Sequence, residues 1–153
     1  MTSKTALEVR PLMASDRDAW AALWTAYLEF YKSSVPAHIY DIYFDRLLGD
    51  DPHDFNGLVA VLDGKIVGLT HYLYHRHGWK VENVCYLQDL YADPAVRSMG
   101  IGRALIEAVY NAADANGTPS VCWMTQDGNT EARKLYDRIA QVTDFIKYGR
   151  IAP

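Results

Sequence analysis

The stretch from Cys85 to Asn116, CYLQDLYADPAVRSMGIGRALIEAVYNAADAN, decides how the rest of the chain is read. It opens as an apolar and aromatic run of strand composition, breaks at Asp93-Pro94, passes through Arg97-Ser98-Met99-Gly100-Ile101-Gly102, and continues as an amphipathic helix. Strand, glycine turn and helix in that order build an anion site. The amides of a helix's first turn have no carbonyl partner within the helix, and the aligned peptide dipoles leave partial positive charge at that end. Gly100 and Gly102 carry no Cβ, so a phosphate can approach the backbone closely. Two nucleotide fingerprints fail on this stretch. The dinucleotide pattern needs a third glycine where Leu105 stands, and the triphosphate loop needs Gly-Lys-Ser/Thr where the chain has Gly102-Arg103-Ala104.

The spacing that does match is Asp-Pro followed by Arg-x-x-Gly-x-Gly, and with it the chain resembles the GNAT N-acetyltransferases over most of its length. Downstream, Asn129-x-x-Ala132-x-x-Leu135-Tyr136 is similar to that family's second motif. Within the family, YLQDLYADP, LYDRIA and FIKY look most like the histone/polyamine acetyltransferase branch. The resemblance implies acetyl-CoA as cosubstrate. It implies that Leu90, Tyr91 and Ala92 pair by backbone with the pantetheine arm, and that Arg97, Ser98, Met99, Gly100, Ile101, Gly102 and Arg103 hold the pyrophosphate. It also implies that Asn129 bonds the coenzyme and that Tyr136 lies near the sulfur, where its phenol can protonate the leaving thiolate. The residues by themselves allow a plainer reading, with Asn129 as the N-cap of a helix and Tyr136 as a core aromatic. One departure from the family stands after this helix, where Asp144-Phe145 replaces the usual Gly-Phe.

The bulk properties set the frame. A chain of 153 residues, half of them hydrophobic, can bury a real core and has the size of one domain, 1–153. Its net charge of −4 comes without a basic block, which argues against nucleic acid as a partner. Met1–Thr5 lead into no apolar signal core and no apolar run has membrane-spanning length, so a soluble, cytoplasmic protein without a membrane partner is expected. Cys85 and Cys122 are expected as buried, reduced thiols.

Taken in order, Ala6 to Leu12 alternates like a first strand. Ser15 is placed to cap a helix that carries Trp20, Leu23, Trp24, Tyr27, Leu28 and Tyr31 on one face. Pro36 suits the start of a second helix, to about Leu48. From Leu58 to Ala92 the period becomes extended, with Asp63-Gly64-Lys65 as a hairpin turn and a second turn near His77-Gly78-Trp79. After the glycine-turn helix, SVCWMT reads as a short strand, 129–140 as a fourth helix, and DFIKYGRI as a last strand. The fold class expected is α/β, with a GNAT-like mixed, mostly antiparallel sheet flanked by about four helices.

Acetyl transfer to an amine poses a proton problem, because an alkylammonium of pKa near ~10 cannot attack a thioester at neutral pH. Asp89 is the candidate base, with Tyr136 as candidate acid. Gln88 stands where polyamine acetyltransferases, which this region resembles, often carry a glutamate. Strand alternation puts Gln88 and Asp89 on opposite faces unless a bulge intervenes, so a water chain ending on Asp89 or on a tyrosine is the alternative. Trp24, Tyr27, Tyr31 and Gln88 are the candidate substrate-binding residues. Aromatic rings together with Glu29, Asp41 and Asp45 suit an amine cation, or else form a tyrosine-rich core with a solvated acidic rim. His71, His75 and His77 share strand parity, and as no carboxylate or cysteine completes a metal site, a polar hairpin face is the reading preferred. The function expected is acetyl transfer from acetyl-CoA to a primary amine, a polyamine-like small molecule favoured. A protein lysine or N-terminal acetyltransferase and a non-catalytic acyl-CoA-binding module are the alternatives. Phe145, Ile146 and Tyr148 suggest a terminal edge strand and hence a homodimer.

Overall fold

The computed structural model describes residues 6–153; Met1–Thr5 and the signal-segment reading made of them lie outside the described residues. The chain divides into two compact units. The first, ending at Trp123, contains β1 (Leu7–Pro11), α1 (Arg17–Phe30), α2 (Ala37–Leu48), β2 (Asn56–Leu62), β3 (Lys65–His75), β4 (Val84–Ala92), α3 (Ile101–Ala115) and β5 (Val121–Cys122). The second, Met124–Pro153, contains α4 (Thr130–Ile139). The strands form one sheet in the order β1-β2-β3-β4-β5, antiparallel except for the parallel pair of β4 and β5. This is the mixed, mostly antiparallel α/β architecture expected. Pro11 ends β1, an edge strand, where its missing N–H costs no ladder bond.

Alternation along the strands sends consecutive residues to opposite faces, with its phase shifted at Val67, where β3 carries one extra residue against β2. On one face Val59 and Leu69 pack with Trp20 and Trp24 of α1 and with Phe44 and Leu47 of α2. On the other, Ala60, Leu62 and Val67 meet Ile101 and Leu105 of α3. Trp20 is wholly buried, and truncating a buried ring of that size typically costs about 3–5 kcal/mol. Gly68 lets α3 lie close to the sheet. A Cβ there would stand 2.9 Å from Ile101 Cγ2 and 3.1 Å from Leu105 Cδ1.

Three sequence expectations are corrected. Ser15 does not cap α1; a 3-10 turn over Ala14–Asp16 precedes the helix, and Asp16 instead accepts the Met13 N–H at 2.8 Å and a two-pronged contact from Arg10. The fork of the guanidinium holds the Asp16 carboxyl below its ordinary range, against the effect of burial. Cys85 is buried, and burial pushes its thiol up to about 12, whereas Cys122 is exposed. No strand forms over 141–153: Phe145, Ile146 and Tyr148 are 78%, 77% and 88% exposed, and the edge that the homodimer reading requires is absent there. A run of apolar residues makes a strand only when a neighbouring strand takes its amides. Among the described residues, no helix is long and apolar enough to cross a membrane.

Candidate active site

The register of β3 with β4 contains one irregularity, and it builds the site. Tyr72 pairs with Leu87 and His71 with Asp89, so Gln88 is an extra residue on β4 with no partner opposite. Such a bulge lets two successive side chains reach the same side of the sheet. Gln88 and Asp89 therefore both line a cavity of about 450 Å³, together with Trp24, Tyr27 and Leu28 of α1, Tyr43 and Arg46 of α2, and Phe55. That volume falls within the ~300–1,000 Å³ of small-molecule sites.

Asp89 is the cavity's acid and it is almost fully buried, 5% exposed. Its Oδ2 accepts the Tyr43 hydroxyl at 2.6 Å and lies 2.7 Å from His71 Nδ1. Behind His71, the Trp20 indole N–H donates to Nε2 at 2.9 Å. That donor requires Nε2 to accept, so the imidazole hydrogen sits on Nδ1 and is donated to Asp89. Burial alone would raise the Asp89 pKa, but hydrogen bonds from His71, Tyr43 and Tyr27 outweigh it and hold the carboxyl below its ordinary value. The result is a buried carboxylate facing an aromatic cavity. Burial and the neighbouring Asp89 charge push the Tyr27 and Tyr43 phenols well above their ordinary value, so both are donors at neutral pH and neither is fit to be the base.

A second feature lies along the far edge of β4. Only Cys85 and Tyr86 pair with β5; beyond them, among the described residues, no strand pairs with that edge. The Asp93 N–H bonds to Val67 O on the β3 side at 2.8 Å, so alternation turns the Tyr91 N–H toward β3 as well and turns those of Leu90 and Ala92 to the open edge. Of the three residues expected to pair with an extended arm, Leu90 and Ala92 are placed for it and Tyr91 is not. The chain then turns through Ser98 and Gly100, with φ of 75° and 76°, a left-handed conformation that glycine adopts freely, and enters α3 with the amides of Ile101, Gly102 and Arg103 at its first turn. Residues 97–100 are exposed. Arg103 pairs with Glu107 at 2.9 Å on the helix surface. An open strand edge leading to an exposed helix N-terminus fits a coenzyme with an extended amide arm and a pyrophosphate.

The model of the Acetyltransferase (GNAT) family matches residues 20–140. The chain belongs to this family. It is 37% identical to the D-amino-acid N-acetyltransferase HPA3 of Saccharomyces cerevisiae over 93% of this chain and 89% of that protein. It is 29% identical to a thialysine N-epsilon-acetyltransferase of Caenorhabditis elegans over 57% of this chain and 54% of the relative. In fold it is similar to the aminoglycoside N-acetyltransferase AAC(6')-Iy in complex with CoA, with a TM-score of 0.85, 18% identity, and coverage of 99% and 98% of the two chains. This GNAT chain is thus an N-acetyltransferase by family.

Against that frame of the GNAT fold, Trp24, Tyr27, Gln88 and Asp89 are brought together, as the sequence reading proposed. Tyr31 is not at the cavity; it packs edge-on against Tyr27 at 5.2 Å. Of the two readings of the acids, the solvated rim is the one observed, since Glu29, Asp41 and Asp45 are exposed and Asp41 pairs with Arg17 at 2.8 Å. His71 does not belong to a polar hairpin face, for it is 1% exposed. Its signal in the sequence is that it interrupts the apolar parity of Leu69 and Leu73, where a buried polar side chain needs a partner. Among the described residues no group of three or more His, Cys, Asp or Glu is placed to hold a metal ion. Tyr43 belongs to the aromatic wall read from the sequence, whereas Arg46 and Phe55 were missed as site residues because only the packing of α2 and of the segment leading into β2 brings them there. In the second unit, Asn129 occupies the N-cap position of α4, yet its side chain makes no capping bond and donates to Thr125 Oγ1 at 3.1 Å. Tyr136 lies half-buried on α4.

Proposed function

We propose that this GNAT chain, acting as one catalytic domain, transfers an acetyl group from acetyl-CoA to the primary amine of a small molecule by direct attack in a ternary complex. The observation that carries the reading is Asp89: an ionised, buried carboxylate at an aromatic cavity binds an ammonium by charge, and the rings of Trp24, Tyr27 and Tyr43 favour a cation beside them. Leu90 and Ala92 would hold the coenzyme's arm and residues 97–103 its pyrophosphate, and the coenzyme supplies the acetyl thioester. Asp89 anchors the ammonium and takes one of its protons toward the cavity. The N–C bond forms as the C–S bond breaks; Tyr136, by the motif of its helix, is the proposed acid that gives its proton to the thiolate, and the acylated nitrogen releases its second proton to solvent, from which Tyr136 is reprotonated.

The polyamine-like acceptor suggested by the sequence is the less favoured choice. A chain of several ammonium groups asks for several acids, and Asp89 is the acid among the lining residues, with Arg46 opposing further positive charge. The relatives named for D-amino acids and thialysine support small amines carrying other groups. Thiol release from acetyl-CoA, measured across a panel of small primary amines, tests the reading. Turnover of at least one amine is expected, with a loss of about 10²–10⁴-fold in Asp89→Asn. Coenzyme binding without transfer to any amine would establish a binding module instead.

A further inference from the structure

Three residues apart on a regular strand, Tyr86 and Asp89 would face opposite sides of the sheet. The observed register puts Asp89 opposite His71 and Tyr86 opposite Leu73, and His71 and Leu73 are two residues apart on β3. Residues directly opposed in an antiparallel pair share a face, so Tyr86 and Asp89 are same-face neighbours, about 7 Å apart along the strand. That face is the one on which Leu69 packs with α1 and α2. Tyr86 is also the last residue of β4 to pair with β5, opposite Cys122, before the edge of β4 opens. It is half-buried, and Cys122 is exposed, so the pair lies between the buried carboxylate and solvent. Burial first, then Cys122 and the charge of Asp89, raise the Tyr86 phenol above its ordinary value and keep it protonated at neutral pH. Tyr43 already gives its hydroxyl to Asp89 at 2.6 Å, and Tyr27 bonds the same carboxyl. Tyr86 makes no side-chain hydrogen bond among the described residues, which leaves its hydroxyl to a ligand.

We propose that Tyr86 is a further catalytic residue, whose phenol oxygen receives the second proton of the reacting nitrogen while its own hydrogen passes to water. The proposal rests on the small-amine acetyltransfer reading above and supplies a path for a proton that the cavity must release. In that reading the pyrophosphate stands at the start of α3 and the arm runs back past Ala92 and Leu90. The thioester end therefore comes toward Tyr86 and Cys122, where the two strands close. An ammonium must lose two protons to become the nitrogen of an amide. Asp89 takes the first. As the N–C bond forms, the nitrogen still carries one proton in excess, and the Tyr86 oxygen accepts it in the same movement that hands its O–H to a water. The phenol is never charged and ends as it began, while the C–S bond breaks and Tyr136 protonates the sulfur. Tyr27 and Tyr43 are not placed for this step, because both hydrogens point to Asp89.

Tyr86→Phe keeps the ring and the ladder and removes one oxygen. The single-turnover rate with the best amine should fall by about 10²-fold, the low end for a positioned proton-transfer group, with acceptor KM and coenzyme affinity within about threefold of native. Tyr86→His should recover about tenfold of that loss, since a neutral imidazole accepts a proton at one nitrogen and releases another. A rate within twofold of native in Tyr86→Phe, a loss confined to KM, or a Tyr86→His no faster than Tyr86→Phe would overturn the proposal. The two readings fail differently. A native chain that acetylates no amine removes the small-amine reading and the relay together, whereas an active native chain beside an unimpaired Tyr86→Phe removes the relay alone.

Discussion

The indole N–H of Trp20 donates to Nε2 of His71 across 2.9 Å, and this one bond fixes the proton that His71 carries. With Nε2 occupied as an acceptor, the ring can offer Asp89 its Nδ1–H and has no lone pair left with which to collect a proton. His71 is therefore a positioning residue. The buried chain from Trp20 through His71 to Asp89 and Tyr43 holds the carboxylate's orientation and charge.

His71→Asn should place an amide donor near the lost Nδ1–H and keep most of the turnover, while His71→Ala leaves Asp89 a donor short in a buried site. Loss of a hydrogen bond to a charged group is worth about 1.5–3 kcal/mol, so His71→Ala should lower stability by roughly that amount. The acid limb of its pH profile should move upward with it. Chemical denaturation and a pH–rate profile check both; a profile unchanged in His71→Ala would remove the positioning role.

The pH dependence follows from the direction of the Asp89 shift. Its folded pKa is depressed, so the stability it contributes is present above the unfolded carboxyl value of 3.8 and is lost as the pH falls through the lower folded value. Between about pH 5 and 8, kcat/KM should show no break assignable to Asp89 in the native chain. A limb near neutral pH that disappears in Asp89→Asn would contradict the depressed value.

Gly102 is the second residue of α3, in the turn that offers its amides to a phosphate. Glutamate there suits the helix dipole and raises helix propensity, so Gly102→Glu should fold as well as the native chain. Its bulk and charge should nonetheless abolish coenzyme binding. Calorimetric affinity within twofold of native in the folded variant would show that the pyrophosphate binds elsewhere.

Tyr136→Phe keeps the ring and removes the acid. If the phenol protonates the leaving thiolate, turnover should fall by about 10²–10⁴-fold while coenzyme affinity stays nearly intact. A loss within twofold on the best amine would rule the acid role out.

What the sequence made readable was the part set by local pattern. The glycine turn, the Asp63-Gly64 hairpin and the aromatic stripe of α1 each follow from periodicity or turn chemistry within a few residues, and the structure has all three. Those features that depend on distant partners were misread. His71 looks like a surface histidine until Trp20, 51 residues away, is packed against it. Residues 144–151 have strand composition but no ladder to join. Asp89 could be named from its position in the motif, but its donors come from α1, α2 and β3, and Arg46 carries no sequence signal beyond its helical spacing from Tyr43.

The bulge at Gln88 has a consequence for how this site can change. Because it shifts the phase of the strand by one residue, its presence matters separately from the identity of the side chain it carries. Many residues can stand at position 88 and tune the cavity's wall, and variation there is a cheap route to a new acceptor. Removing position 88 is another matter: Leu87 and Asp89 would keep their partners Tyr72 and His71 in a regular ladder, but the bend of the bulge and the second side chain beside Asp89 would be lost. The site thus tolerates rewriting at that letter but not its deletion, and a library built to alter acceptor choice should vary Gln88 while keeping the length of β4 fixed.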